Sequence, residues 1–102
     1  MATVAWVVKA TITPEQEGAF NRWYNEHVSL VLQFPGMVSA RRYRAIMGED
    51  KWQYMAVYEL QDEATFRRLL ESDHFKRLRA EYDARWSGVS ERKPFAYIQV
   101  WP

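Results

Sequence analysis

The hydrophobic pattern changes its period at Thr13–Pro14, and this change constrains the fold more than any other feature of the sequence. Residues 3–12 are rich in Val, Ile, Thr and Trp and are apolar on both alternating faces, which is typical of a strand covered on both sides. From Pro14 onward the apolar residues recur every three or four positions, which predicts a helix that begins at Pro14. Thr13 and Gln16 stand where a capping box would place them. The chain therefore opens with a strand followed directly by an amphipathic helix.

The apolar stripe of this helix contains a histidine. Its members lie at helical spacing and face the predicted core: Phe20, Trp23, Tyr24, His27, Val28 and Val31. Pro35–Gly36 ends the helix, as expected from the restriction before proline and from a glycine beyond a helix C-terminus. We therefore expect His27 to point inward.

The rest of the pattern predicts a hairpin, a broken helical region and a last strand. Strands are expected over residues 37–47 and 51–60, with a turn at 48–50. Asp62 is expected to cap a second helix, and Ser72 or Asp73 to cap its continuation after a break. Residues 94–102 read as the last strand. The order β-α-β-β-α-β predicts an α+β, ferredoxin-like fold, one domain over residues 1–102, with a four-stranded antiparallel sheet carrying its helices on one face.

Apolar side chains lie on both faces of this predicted sheet. The last strand places Phe95, Tyr97 and Trp101 on one face, and Ile98 and Val100 on the other. Aromatic residues make up 16% of the chain, and such side chains bury large areas. Because soluble monomers rarely expose a large apolar patch, we expect a second copy to cover the free face in a homodimer.

Composition excludes several classes of function. The chain has 14 basic and 13 acidic residues, so its net charge does not favour nucleic acid or an anionic membrane as a partner. The predicted third strand also lacks the glycines of the RNA-binding signature. There is no cysteine and no apolar run long enough for a membrane span, so the expectation is a cytoplasmic protein.

Several segments resemble one superfamily. Residues 20–27 (FNRWYNEH), 34–36 (FPG), 40–43 (ARRY) and 54–60 (YMAVYEL) resemble the EthD-like branch of the dimeric α+β-barrel superfamily. Residues 72–76 (SDHFK) are similar to a segment of antibiotic-biosynthesis monooxygenases and stress-responsive A/B-barrel proteins. The resemblance implies two ferredoxin-like protomers packed sheet to sheet, with a small-molecule cleft between each sheet and its helices. It implies no single reaction, because these families include cyclases, isomerases, cofactor-free oxygenases and haem-binding proteins.

The candidate catalytic residues are His27, Tyr24 and His74. Imidazole titrates near neutral pH, and the EthD-like resemblance places a histidine after this Trp–Tyr pair; a structural histidine bonded to a carbonyl is the alternative. The A/B-barrel resemblance implies that His74 matches the general base of a plant polyketide cyclase. However, Arg68 replaces the tyrosine that stands six residues before that base. A capping or surface role for His74 is the alternative.

The predicted function is that of a dimeric small-molecule-binding protein. We expect a cofactor-free enzyme doing acid–base chemistry (isomerisation, cyclisation or oxygenation) on a small, largely apolar, oxygenated or aromatic substrate. The alternative is a non-catalytic ligand- or haem-binding protein. No cofactor is predicted, and two histidines without a ligand-like spacing predict no metal site. The candidate substrate-binding residues are Trp23, Arg42, Tyr43, Tyr54 and Phe75.

Overall fold

A four-stranded antiparallel sheet with its helices on one face forms the protein, as the sequence predicts. The structure is a computed structural model that describes residues 2–48 and 50–102. Along the chain the elements are β1 (Val4–Ala10), a 3-10 turn (Pro14–Gln16), α1 (Glu17–Val31), β2 (Met37–Arg44), β3 (Tyr54–Leu60), α2 (Glu63–Glu71), α3 (Asp73–Trp86) and β4 (Arg92–Ile98). The strand order is β2-β3-β1-β4. The fold is therefore ferredoxin-like, with the second helical region divided into α2 and α3.

The core lies between the sheet and the helices. Alternate residues of the two central strands point into it, and they are buried: Val4, Trp6, Val8 and Ala10 of β1 and Tyr54, Ala56, Tyr58 and Leu60 of β3. The largest fully buried side chains are aromatic, namely Trp86, Tyr58 and Phe20. Because Phe20 comes from α1 and Trp86 from α3, one continuous aromatic layer joins both helices to the sheet.

The opposite face of the sheet carries apolar side chains that no helix covers. Val7 of β1 pairs with Val57 of β3 and Phe95 of β4, and all three lie on this open face. The edge strand β4 is exposed on both faces. Ile98, on the helix side, is 52% exposed, and Tyr97, on the open face, is 57% exposed. The expected apolar character of both faces is therefore confirmed for Phe95, Tyr97 and Ile98, whereas the placement of Val100 and Trp101 on the last strand was wrong, because β4 ends at Ile98.

The helix starts follow the sequence in part. Asp62 accepts a hydrogen bond from the Thr65 amide (2.8 Å), and Ser72 accepts one from the Phe75 amide (3.1 Å), so both predicted caps are confirmed. The capping box at Thr13 was wrong: its side chain makes no cap hydrogen bond. The cause lies in the backbone at this position. The chain first forms a 3-10 turn, in which the Thr13 carbonyl accepts a hydrogen bond from the Gln16 amide (3.0 Å).

The strand ends differ from the predicted bounds. β2 ends at Arg44 and β3 begins at Tyr54, so the hairpin connection is longer than the predicted turn at 48–50. Glu49, in the middle of that predicted turn, lies outside the described residues. The Gln53 side chain accepts the Ile12 amide (2.6 Å), which ties this connection to the end of β1. None of the helices described is long and apolar enough to span a bilayer.

Candidate functional site

His27 lies on the buried face of α1, as its helical position predicts. Only 5% of its surface is exposed. The imidazole stacks on Trp23, with ring centroids 4.7 Å apart and planes 18° from parallel. On another side it meets the Tyr24 ring edge-on at 5.3 Å. The aromatic neighbours, four and three residues earlier on the same helix, therefore fix the orientation of the histidine ring.

A pocket of about 220 Å³ opens beside His27, between α1 and α3. Trp23, Glu26, His27 and Leu30 line it from one stripe of α1, and Glu81 lines it from α3. This volume is below the roughly 300–1,000 Å³ of pockets for drug-sized ligands, so only a small ligand fits. Sequence reasoning missed both glutamates; Glu26 could have been found because it shares the helical spacing of Trp23 and Leu30.

The imidazole of His27 is neutral and incompletely hydrogen-bonded. Its Nδ1 atom is buried and has no hydrogen-bond partner in the described part of the chain. Burial, assisted by the positive charge of Arg92, lowers the pKa of His27 to about 4. A neutral ring carries one N–H, and a buried N–H without an acceptor costs more than a bare lone pair. The proton is therefore best placed on Nε2.

Arg92 was missed by the sequence analysis. It is the first residue of β4, opposite Ala10 of β1, and its guanidinium lies 3.9 Å from the centre of the Tyr82 ring. The nearest carboxylate, that of Asp83, is 3.8 Å away and exposed. No local pattern identifies this residue, because the strand was expected to start at Pro94 and the pairing with β1 is long-range.

Tyr24 lies behind His27, within the aromatic layer. It is buried, and burial raises the pKa of its hydroxyl to about 12. Burial, together with the neighbouring Tyr24 hydroxyl, also raises the pKa of Tyr58. These rings and the buried Trp86 and Phe20 fill the space where the superfamily resemblance implies a cleft. Tyr24 contacts the His27 ring but is not among the residues that line the pocket.

Arg42 and Tyr54 form a second polar cluster on the sheet side of α1. Arg42 donates hydrogen bonds to the side-chain oxygens of Asn21 and Asn25, both at 3.0 Å, and lies 4.7 Å from the centre of the Tyr24 ring. Tyr54 bonds to the Glu17 carboxylate. Burial lowers the pKa of Arg42 and raises that of Tyr54. Arg42 therefore faces the helices, the orientation that the sequence left open.

The remaining predicted residues lie apart from the His27 pocket. The Nδ1 atom of His74 accepts a hydrogen bond from the Arg77 guanidinium (3.3 Å). The proton of the neutral ring therefore lies on Nε2, which donates a hydrogen bond to the Leu30 carbonyl (2.8 Å). Phe75 packs against Trp6, with ring centroids 5.6 Å apart. Tyr43, 47% exposed on the open face of the sheet, lines a separate pocket. The structure thus groups His27 with Trp23 and Tyr24 and separates the other candidates.

The residue types that ligate metals are dispersed over the described part of the chain. Across residues 2–48 and 50–102, no three histidine, aspartate or glutamate side chains are grouped closely enough to hold an ion. The pocket instead offers a neutral imidazole, an indole and two carboxylates. Such a set can hydrogen-bond an organic ligand and exchange a proton with it.

Solved structures with this fold include three informative neighbours. A mutant of SnoaB, a cofactor-independent oxygenase from Streptomyces nogalater, is 18% identical, with 98% of this chain and 95% of that one covered and a TM-score of 0.73. A dabb family protein with a ferredoxin-like fold from Mesorhizobium loti is 14% identical, with 99% and 100% covered and a TM-score of 0.77. An ethyl tert-butyl ether D (EthD) family protein from Bacillus halodurans is 19% identical, with 93% and 97% covered and a TM-score of 0.66. At these identities the likeness is one of fold, and at that level the predicted superfamily resemblance is confirmed.

Sequence comparison assigns the chain to a family. No curated protein matches it. The family profile described as "Domain of unknown function (DUF4286)" matches residues 3–90, which is most of the chain. The chain therefore belongs to the DUF4286 family.

Proposed function

We propose that this protein binds a small organic molecule in the pocket between α1 and α3, with His27 as the group that recognises it. The observation that carries the proposal is the His27 imidazole, which lies on a pocket wall, is only 5% exposed and has no partner for its Nδ1 in the part of the chain that the structure describes. An unpartnered buried polar group costs about 1–3 kcal/mol. A ligand oxygen that accepts the Nε2 proton would leave Nδ1 unpaired, but it would give the buried ring one hydrogen bond in partial compensation.

Acid–base catalysis without a cofactor is the chemistry that suits this pocket. A histidine with a pKa of about 4 is a poor base at neutral pH, but its neutral N–H can polarise a carbonyl. The proton acceptor would then be the carboxylate of Glu26 or Glu81. In an isomerisation of this kind the carboxylate removes a proton next to the carbonyl, Nε2–H stabilises the enolate oxygen, and the proton returns to another carbon. Atoms and electrons balance without any further reactant.

A homodimer is part of the proposal. Val7, Val57, Phe95 and Tyr97 form an apolar open face on the sheet, and a second copy is its natural cover. Sedimentation equilibrium should give about twice the chain mass of 12.2 kDa. A folded monomer at micromolar concentration would contradict this part of the proposal.

The competing function is non-catalytic binding, including binding of haem. The small pocket volume disfavours a porphyrin, which is larger than the ligands such a volume holds. Haem titration followed by absorbance provides the check. A Soret shift that disappears in His27→Leu would favour this alternative over acid–base chemistry.

The deciding experiment measures ligand binding in variants that stay folded. The purified protein is titrated with a panel of phenols, lactones and short polyketide mimics, and binding is followed by calorimetry and ligand-observed NMR. We expect His27→Leu to weaken binding about tenfold or more, because the hydrogen bond to the ligand is lost. His74→Ala is the matched control, since His74 does not itself line the pocket. Because its ring is bonded to the carbonyl of Leu30, a lining residue, the comparison requires that His74→Ala keep the melting temperature of the wild type. Equal affinities in His27→Leu and the wild type would remove His27 from the site.

A further inference from the structure

We propose that the pocket between α1 and α3 selects small organic cations, amines on an aromatic or apolar body that also carries an oxygen. This inference rests on the proposed function and names the ligand class of the same site. Two carboxylates, those of Glu26 and Glu81, line the pocket, and no basic residue does. Among the lining residues a bound ammonium would therefore meet only negative or neutral groups, while the charge of Arg92, which does not line the pocket, acts on the imidazole of His27.

The two carboxylates are not neutralised by their neighbours. Neither Glu26 nor Glu81 forms a salt bridge within residues 2–48 and 50–102. The arginines one turn away on the same helices are engaged elsewhere: Arg77 bonds to His74, and Arg85 lies over the Trp86 ring at 3.9 Å. Arg22, one turn before Glu26, reaches back toward Gly18. The pocket thus keeps its negative charge.

His27 is the second, independent sign of a ligand. It is a nearly fully buried polar side chain on the pocket wall, and none of the residues 2–48 and 50–102 provides a hydrogen-bond partner for its Nδ1. With the proton on Nε2 the ring donates a hydrogen bond, which an ammonium cannot accept but an oxygen can. A ligand that complements the pocket therefore carries two groups: a cation that pairs with the carboxylates and an oxygen that accepts the hydrogen bond of the imidazole.

Trp23 favours the same class of ligand. It lines the pocket and stacks its ring on His27, so it provides an aromatic wall. Apolar ligand bodies pack on such a surface, and cations are attracted to indole more than to other rings. A carboxylate ligand, by contrast, would face two like charges across the small pocket of about 220 Å³.

The test uses three ligands of nearly equal shape that differ in charge. Tyramine is the cation, 4-ethylphenol the neutral compound and 3-(4-hydroxyphenyl)propionate the anion. Calorimetric titration of the wild-type protein should give the tightest binding for tyramine and the weakest for the propionate. Added salt should weaken tyramine binding and leave 4-ethylphenol unchanged.

Charge-neutralising variants assign the effect to the pocket. Glu26→Gln and Glu81→Gln should each weaken tyramine binding about two- to fivefold, the range for exposed charge pairs, without changing 4-ethylphenol binding. Glu15→Gln, in the 3-10 turn ahead of α1, is the charge-matched control and should change neither.

Three outcomes would contradict the inference in distinguishable ways. If the propionate binds as tightly as tyramine, or the glutamine variants leave tyramine affinity unchanged, the cation selectivity is wrong. If in that case 4-ethylphenol still binds to the wild type and binds more weakly to His27→Leu, the proposed function is supported and only the cation selectivity is refuted. If none of the three compounds binds to the folded protein, both the selectivity and the proposed ligand site at His27 are refuted.

Discussion

Replacing His27 by leucine should leave the fold as stable as before or make it more stable. The substitution removes the buried Nδ1, for which the described residues provide no partner, and this removal should stabilise the fold by about 1–3 kcal/mol. It also removes the stacking on Trp23, which costs about 0.5–1.5 kcal/mol, while leucine is the better helix former by a few tenths of a kcal/mol. The expected balance is a gain of about 0–2 kcal/mol. His27→Ala, which leaves a cavity, should instead lose about 2 kcal/mol or more.

Urea unfolding at pH 7, at one fixed protein concentration, measures this balance. The fixed concentration matters because the stability of a dimer depends on it. A gain of 1 kcal/mol corresponds to a rise in Tm of about 4–8 °C for a domain of this size. Loss of more than about 2 kcal/mol in His27→Leu would refute the reasoning, since it would mean that the imidazole makes a stabilising polar contact.

The pH dependence of stability gives a second readout of the same residue. The unfolded histidine takes up a proton near its ordinary pKa of 6.5, whereas the folded one does so only near 4. Stability should therefore fall as pH drops from 7 through this window, by about 3 kcal/mol at pH 4. His27→Leu lacks this loss, while Glu26 and Glu81, which line the same pocket, and Arg92, whose charge acts on the imidazole, are the same in both proteins. Parallel pH curves for the two proteins would contradict the lowered pKa.

Three further predictions concern the fold and the dimer. Val57→Glu places a charge on the half-buried open face of the sheet and should convert the dimer to a folded monomer, measured by sedimentation. Gly36→Ala should lower the free energy of unfolding in urea by about 1–3 kcal/mol, because Gly36 has φ +96° and a Cβ there would lie 2.5 Å from Thr65 Cγ2. Adding Thr65→Ala to this variant should restore part of the loss. An unchanged urea midpoint in Gly36→Ala would argue against the clash. Asp62→Ala should cost about 1 kcal/mol by removing the cap of α2, whereas Asp62→Asn should cost less; equal losses would point to charge rather than capping.

The architecture was predictable from the sequence because its signals are local. The period change at Thr13–Pro14, the caps at Asp62 and Ser72 and the inward stripe of α1 each depend on a few neighbouring residues. The start of α1 was less well predicted, since the choice between a capping box and a 3-10 turn at Thr13 involves small energy differences. The start of β4 at Arg92 depends on pairing with β1, which no local pattern encodes.

The candidate site was predictable only where one helix supplies it. Trp23, Tyr24 and His27 follow from helical spacing and do lie together. Glu81 reaches the pocket from α3, so its place depends on how the two helices pack. His74 is of a residue type that is common in active sites, yet its ring is bonded to a carbonyl of α1, a contact that no sequence spacing reveals.

The two arginines of the edge strands add to the effect of burial on ionisation inside the protein. Arg42 enters the aromatic layer from β2 and lies over Tyr24, and Arg92 enters from β4 and lies over Tyr82. The charge of Arg92 disfavours a proton on His27 and favours ionised forms of the tyrosines around it. The charge state of a residue on α1 is thus set mainly by burial and is influenced in addition from the edge of the sheet. Changes confined to that edge can retune the histidine without altering one atom of the pocket wall, so variation at β4 offers a route to new pH profiles on an unchanged binding surface.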